Sequence, residues 1–337
     1  MARITIKQLA EQLGLAPSTV SKALRDSYEI SPETKHRVLE AARRFNFTPN
    51  PYASSLRRKN SRTIAIVVPE VEDSFFSTAI NGIEYVAHSV GYHVLIYLTH
   101  EDKALEESIL KDLLNGRVDG ILISVSTGTK SAQHLLDYSL SGKPLVFFDR
   151  VLDEIPVHKV ITDDFEAGYL ASRHLLENGC TDISFLSIGD SLNIMKRRFE
   201  GGAEAIRELR PGTQYRYVNC TPDPDAARNH IQKLLSGNNR PDGIIGAVEK
   251  LAIATYLACK ILGIRIPEEL RVLAFSNLPT ASLLQPGLST VRQPAYEIGK
   301  TAASLLFERL NKNNPHFTPK SIVVPSVLEP RASTSGG

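Results

Sequence analysis

In the first 47 residues apolar side chains recur three and four positions apart. Ile6, Leu9, Ala10 and Leu13 follow a Thr5 able to cap; Val20, Ala23 and Leu24 follow Pro17; Val38, Leu39, Ala42 and Phe45 follow Ser31-Pro32-Glu33-Thr34. That spacing lines one face of a helix, and Gly14 supplies a tight turn between the first two. Three short helices are therefore predicted, with Ser18, Thr19, Ser21 and Lys22 left largely outward on the second. Residues 49–61 are rich in Pro, Asn, Ser, Arg and Lys and read as a linker, although Ala53, Leu56 and Arg57 keep helical spacing. From residue 62 the pattern changes. Short apolar runs at 64–68, 94–98, 120–123, 145–148, 183–186, 243–247 and 272–275 are mostly separated by amphipathic stretches of helical length. Such alternation predicts parallel sheets covered by helices, with ligands gathering at the carboxyl ends of the strands.

Two helices joined by a glycine turn and steadied by a third match the DNA-binding helix-turn-helix, whose second helix enters the major groove. Charge supports this. Residues 1–60 carry eleven Lys and Arg against five Asp and Glu, whereas the remainder carries 28 against 32, so a basic head is hidden within a chain of net charge +2. The 337 residues, 42% hydrophobic and 23% charged, suffice for two or three folded units and exclude a disordered or fibrous chain. No apolar run approaches the roughly 20 residues that cross a bilayer, and no signal segment opens the sequence, so the expected location is cytoplasmic, without a membrane partner. Cys180, Cys220 and Cys259 are far apart and lack ligand spacing, so buried thiols are expected rather than a disulfide frame or metal site. GxGxxG, P-loop, GxSxG and HExxH motifs are all missing, and no cofactor or catalytic residue is expected.

Thr5 to Ala10, Pro17 to Leu24, Ser31 to Val38 and Asn50 to Arg57 closely resemble the lactose-repressor (LacI/GalR) family, and the likeness runs to about residue 330. It implies an N-terminal all-α helix-turn-helix domain (1–48), a hinge helix or linker (49–61), and an α/β two-lobed sensor of the type I periplasmic-binding-protein kind (62–330). Lobe one would comprise about 62–161 and 290–320, lobe two about 162–289 and 321–330, with 331–337 a disordered tail. The implied function is a transcription regulator, a repressor by preference, whose grip on operator DNA is set by a small-molecule effector: a sugar, nucleoside or phosphorylated metabolite. DNA contacts would come from Thr5, Pro17, Ser18, Thr19, Ser21 and Lys22 in the head and from Asn50, Ala53, Leu56 and Arg57 in the hinge. In the family the hinge becomes helical only on operator, and Leu56 holds the position of the side chain that wedges into the minor groove. A homodimer on a pseudo-palindromic operator is expected; 331–337 lacks the apolar heptads that would pair two dimers.

Effector groups are sought just after the strands. Asp73, Phe75 and Phe76 follow the first; Ser124 and Ser126 the third; Asp149 and Arg150 the fourth; Asp163 the strand containing Val160 and Ile161. Each could instead cap a helix or close a salt bridge. Aromatic faces with carboxylates and an arginine suit a hydroxyl-rich ring. By resemblance, Asp149-Arg150 and the run Lys196-Arg197-Arg198 before Gly201 touch effector, and Glu249, Ser276 and Gln293 complete the set. Two departures stand out. Val248-Glu249 replaces the usual Asn-Asp, and Ser276-Asn277 replaces Asp-Asp or Asp-Asn, so a common hydroxyl acceptor is missing and the family's effectors cannot be carried over.

Overall fold

A computed structural model describes residues 4–47, 61–115, 117–129, 133–189, 192–221, 223–311 and 318–335. The chain divides between Ser61 and Arg62 into a small N-terminal unit and a large one. In the first, α1 (Ile6–Leu13), α2 (Pro17–Ala23) and α3 (Pro32–Arg44) bury Leu9, Ala10, Val20, Ala23, Val38 and Ala42 together. Thr5 and Gln8 close a reciprocal capping box on α1, and Gly14 ends that helix at φ 65°. Pro17 occupies the first turn of α2, and Ser31 caps α3. Asn50, Ala53, Leu56 and Arg57 lie outside the described residues, as does most of the expected linker.

The large unit contains two sheets. The first, ordered β11-β5-β4-β3-β1-β2, is built from β1 (Thr63–Val68), β2 (His93–Leu98), β3 (Gly120–Ile123), β4 (Leu145–Phe148), β5 (His158–Thr162) and β11 (Ser321–Val324). All are parallel, with Ile64 beside Gly120, Ile121 beside Leu145, Val146 beside His158 and Val160 beside Ile322. Ile64, Ile66 and Val68 pack under α4 (Ser74–Ser89) and α11 (Ala295–Asn311), while Ala65 and Val67 face α5 (Lys103–Leu113) and α6 (Gln133–Leu140). Burial on both faces explains why β1, β3 and β4 are continuous apolar runs.

The second sheet, β12-β10-β9-β8-β6-β7, comprises β6 (Asp182–Ser187), β7 (Gln214–Asn219), β8 (Gly243–Gly246), β9 (Arg271–Phe275), β10 (Ser289–Arg292) and an antiparallel β12 (Val327–Glu329). It is covered by α7 (Asp164–Glu177), α8 (Asn193–Leu209), α9 (Pro224–Ser236) and α10 (Glu249–Leu262). Helices α7 and α8 cross at backbone distance. A Cβ on Gly168 would come within 2.0 Å of the Arg198 carbonyl oxygen, and one on Gly201 within 1.9 Å of that of Phe165, so glycine is required at both.

Three expectations are corrected. Residues 289–292 pair with β9 and belong to the second lobe, although 290 was expected to begin the return to the first. Residues 321–324 pair with β5 in the first lobe; only 327–329 join the second, because a two-residue crossing separates β11 from β12. Residues 331–335 are not a loose tail. Ser333 and Thr334 are fully buried. The Ser333 Oγ donates to the Val272 carbonyl (2.6 Å) and accepts from the Ser289 amide (2.8 Å), and Thr334 Oγ1 meets His174 Nε2 at 2.7 Å.

Candidate DNA-reading helix and effector cleft

On α2, Pro17, Ser18 and Lys22 are exposed while Thr19 and Ser21 are half-buried, as expected of a helix offering one face to a groove. Three of the polar groups already have partners. Lys22 Nζ is paired with Glu29, Ser21 Oγ accepts from Arg25 Nη2 at 2.9 Å, and the Thr5 hydroxyl accepts from the Gln8 amide at 3.3 Å. Contact between Lys22 and a base would exchange one charge partner for another. A point charge makes that exchange easier than a planar fork would.

In the sensor the carboxyl ends of both sheets meet at one cleft. Asp149 follows β4 at φ 61°, an unusual conformation for a residue other than glycine. It turns its backbone amide to the Val160 carbonyl (3.0 Å) and its carboxylate toward Ser124 Oγ (3.4 Å). Next to it, Arg150 gives Nη1 to Glu101 Oε1 at 2.8 Å, holds its Nε 3.8 Å from Asp149 Oδ2, and lies 5.5 Å over the Phe76 ring. From the second lobe Arg198, 2% exposed, donates Nε to Asp164 (2.8 Å) and Nη1 to the Ala247 carbonyl (2.8 Å), with its guanidinium 4.1 Å above Phe275. Glu249 spans the lobes. Its carboxylate accepts from the Ser74 amide at the start of α4 (2.9 Å), from the Ser74 hydroxyl, and from Ser276 Oγ (3.0 Å). Beside it Lys250 reaches Glu70 at 3.0 Å.

These groups enclose two joined spaces. A slit of about 20 Å³ lies among Asp73, Phe75, Phe76, Arg198, Phe275 and Gln293, too small for more than a single water. A chamber of about 590 Å³ shares Asp149, Arg150 and Ile194 with it and continues past Thr162, Asp163, Asp164 and Arg197. That volume fits a small metabolite. Asp73, Phe75, Phe76, Asp149, Arg150, Arg198, Ser276 and Gln293 line one space or both; Asp163 caps α7 at the chamber wall. Ser124 and Glu249 stand behind the walls, holding Asp149 and Ser74. Lys196 is corrected: its side chain is 73% exposed and pairs only with Glu200, because two residues along a helix turn it away from the face carrying Arg198. Sequence reasoning missed Asp164, Phe275 and Glu101. Phe275 ends a predicted strand and carried a usable signal; Glu101 sits on a turn and carried none.

Burial controls the acids here. It pushes Asp149 up to about 6 and, with repulsion from Glu249 second, pushes Asp73 up to about 7; it also raises Asp164 against the pull of Arg198. Asp73 has a testable consequence. Between 3.8 and about 7 the folded chain keeps a proton that the unfolded chain has lost, so this group makes stability fall as pH rises through that window. Asp73→Asn should therefore gain stability relative to the parent as pH rises from about 4 to about 7, checked by melting curves across that range. Parallel curves would show that Asp73 titrates like an exposed carboxyl. The three cysteines are buried and free, and burial pushes their thiols up to about 12 for Cys180 and about 11 for Cys220 and Cys259. Among the described residues no three metal-binding side chains cluster, and no helix is long and apolar enough to cross a membrane.

The sequence matches the family model of bacterial regulatory proteins, lacI family, over residues 5–50, and that of periplasmic binding proteins and the sugar-binding domain of the LacI family over residues 61–327. The chain belongs to the LacI family. Like other members of the LacI family it is a DNA-binding transcription regulator with an effector-binding domain, not an enzyme. The ribose operon repressor of Halalkalibacterium halodurans is 30% identical over 334 residues, which cover 99% of this chain and 98% of that one. The transcriptional repressor PurR of Mannheimia succiniciproducens is 28% identical over 91% of this chain and 92% of its own. The fold is also that of the lac repressor dimer bound to operator and an anti-inducer, with a TM-score of 0.84 at 20% identity over 99% of this chain and 100% of that one. A LacI family regulator from Enterococcus faecium with bound ribose superposes with a TM-score of 0.72 at 26% identity, covering 81% of this chain and 98% of that one.

Proposed function

We propose that this regulator is a repressor that binds operator as a two-fold dimer in the cytoplasm, and that its effector occupies the cleft walled by Asp149, Arg150 and Arg198. The observation that carries this reading is the convergence of buried charged groups from both sheets on one cavity. A ligand there touches both lobes at once. It can therefore favour one lobe arrangement over another, which is what a ligand must do to act at a distance. The dimer is supported by Leu95 and Ile96, 40% and 48% exposed on the free edge strand β2, since an apolar sheet edge invites pairing. Operator DNA and a small molecule are also the classes of partner that relatives and neighbours carry in their own names.

Wedge and sensor are separable. On a duplex selected by the protein from a random pool, Leu56→Gly should bind at least about tenfold more weakly, through a lost wedge and about 1 kcal/mol of helix propensity, with effector affinity in the DNA-free protein preserved. Asp149→Ala should retain the duplex yet respond poorly to effector. Gel retardation with and without effector checks both. A normal response from Asp149→Ala would remove that residue from the sensor.

A further inference from the structure

We infer that the effector carries a cationic nitrogen, an amine or guanidine, alongside hydroxyl groups. This rests on the reading that the effector sits between the lobes. Acids outnumber bases there. The chamber is lined by Asp149, Asp153, Glu154, Asp163 and Asp164 against Arg150 and Arg197, with Lys159 reaching only Asp153, from outside the lining. At the slit Asp73 lines the wall and Glu249 stands just behind it, two more carboxyls against Arg198.

The two buried arginines are already engaged, while Arg197 is exposed at the chamber wall. Arg150 is bound to Glu101 and Arg198 to Asp164 and the Ala247 carbonyl. Asp73 and Glu249 are held by amides and hydroxyls, those of Phe75, Ser74 and Ser276, rather than by a hydrogen-bonded cation. Of these acids Asp149, Asp164 and Glu249 are buried, whereas Asp153, Glu154 and Asp163 are exposed; a buried carboxylate is costly unless a positive charge joins it. An anionic ligand would add to the buried negative charge and, apart from Arg197 at the exposed wall, would find a cation only by drawing Arg150 away from Glu101. A neutral sugar would leave that charge in place.

A separate observation points to the rest of the ligand. Gln293 Nε2 and Arg150 Nε are buried donors without a hydrogen-bond partner, on side chains 6% and 4% exposed that line the slit. Such donors need acceptors. Arg150 lines the chamber as well as the slit, so a hydroxyl or ring oxygen of a ligand in the chamber can meet it, and the chamber's volume of about 590 Å³ accommodates an aminated sugar or polyol. Binding of the cation also has a proton signature, because Asp73, pushed up to about 7, would release the proton it partly holds at neutral pH.

The test uses the full-length protein and matched trios of amino sugar, parent sugar and sugar phosphate: glucosamine with glucose and glucose 6-phosphate, and the galacto and manno equivalents. Thermal shift ranks them. Calorimetry in two buffers of different ionisation enthalpy then measures affinity and proton release. The expected result is an amino sugar binding at least about tenfold tighter than its parent, with proton release, and a preference cut to about threefold or less in Glu249→Gln. Asp73→Asn should bind with less proton release. Tighter binding of a parent sugar or a sugar phosphate, lost in Asp149→Ala, would overturn the cationic effector and leave the cleft reading standing. Binding that survives Asp149→Ala and Arg198→Met, or no binding by any of the nine, would overturn both.

Discussion

Arg198→Ala is expected to cost the sensor domain about 3 to 5 kcal/mol, because it removes one partner of a buried ion pair and leaves the other charged and dry. Asp164, 3% exposed, would lose the guanidinium 2.8 Å away, the Ala247 carbonyl would lose its donor, and Phe275 would lose the plane stacked on it. The position is rigidly built. Arg198 sits where α7 and α8 touch at Gly168 and Gly201, so neither helix can slide to refill the space. Urea unfolding should show a lower midpoint with unchanged slope. Arg198→Met combined with Asp164→Asn should recover part of the loss, since no charge is then left unpaired. A loss under about 1 kcal/mol for Arg198→Ala would mean that the pair is effectively solvated.

The second large effect is expected at residues 331–335. Ending the chain after Pro330 should destabilise the second lobe by about 2 to 6 kcal/mol, from several hydrogen bonds worth about 0.5 to 1.5 kcal/mol each. Residues 331–335 complete β9 and β10 from the side. The Val272 amide donates to the Ser333 carbonyl at 3.0 Å, the Ser333 amide to Gly287 at 2.8 Å, and Arg331 Nη1 to the Leu288 carbonyl at 2.7 Å. Hydrogen exchange should quicken first at the amides of Val272 and Ser289, well before the first sheet responds. A truncated chain that melts with the parent would show that these contacts contribute nothing.

The same tail shows where sequence reading stops. Arg331-Ala332-Ser333-Thr334-Ser335 has no apolar period, and its hold on the lobe comes from hydroxyls meeting backbone groups that only the folded sheet presents. Strands β10 and β11 were misassigned for a related reason: each is four residues long, and the crossings between lobes, not local pattern, decide which sheet receives it. Strand β7, Gln-Tyr-Arg-Tyr-Val-Asn, was not predicted as a strand because it is a polar sheet edge. By contrast the three head helices were legible from period and caps alone, as were the strands buried on both faces. In the cleft, Asp149, Arg150 and Asp163 after strand ends were found, while Phe275 at another strand end and Asp164 in the first turn of α7 were not, and Lys196 was given the wrong helix face. Lys196 could have been placed outward from Ile194, Met195, Arg198, Gly201 and Gly202, whose spacing marks the buried face of α8.

The crossings also set a timetable for synthesis. An N-terminal head whose core ends at Ala42 can fold while most of the protein is still being translated. The sensor cannot. The outer edge of β5 waits for residues 321–324, and that of β10 for residues 327–329. A ribosome that stalls before codon 321 therefore yields a finished DNA reader attached to two unfinished sheets. Such a fragment keeps the part that finds DNA and lacks the part that takes instruction, and its open strand edges mark it for chaperones and proteases.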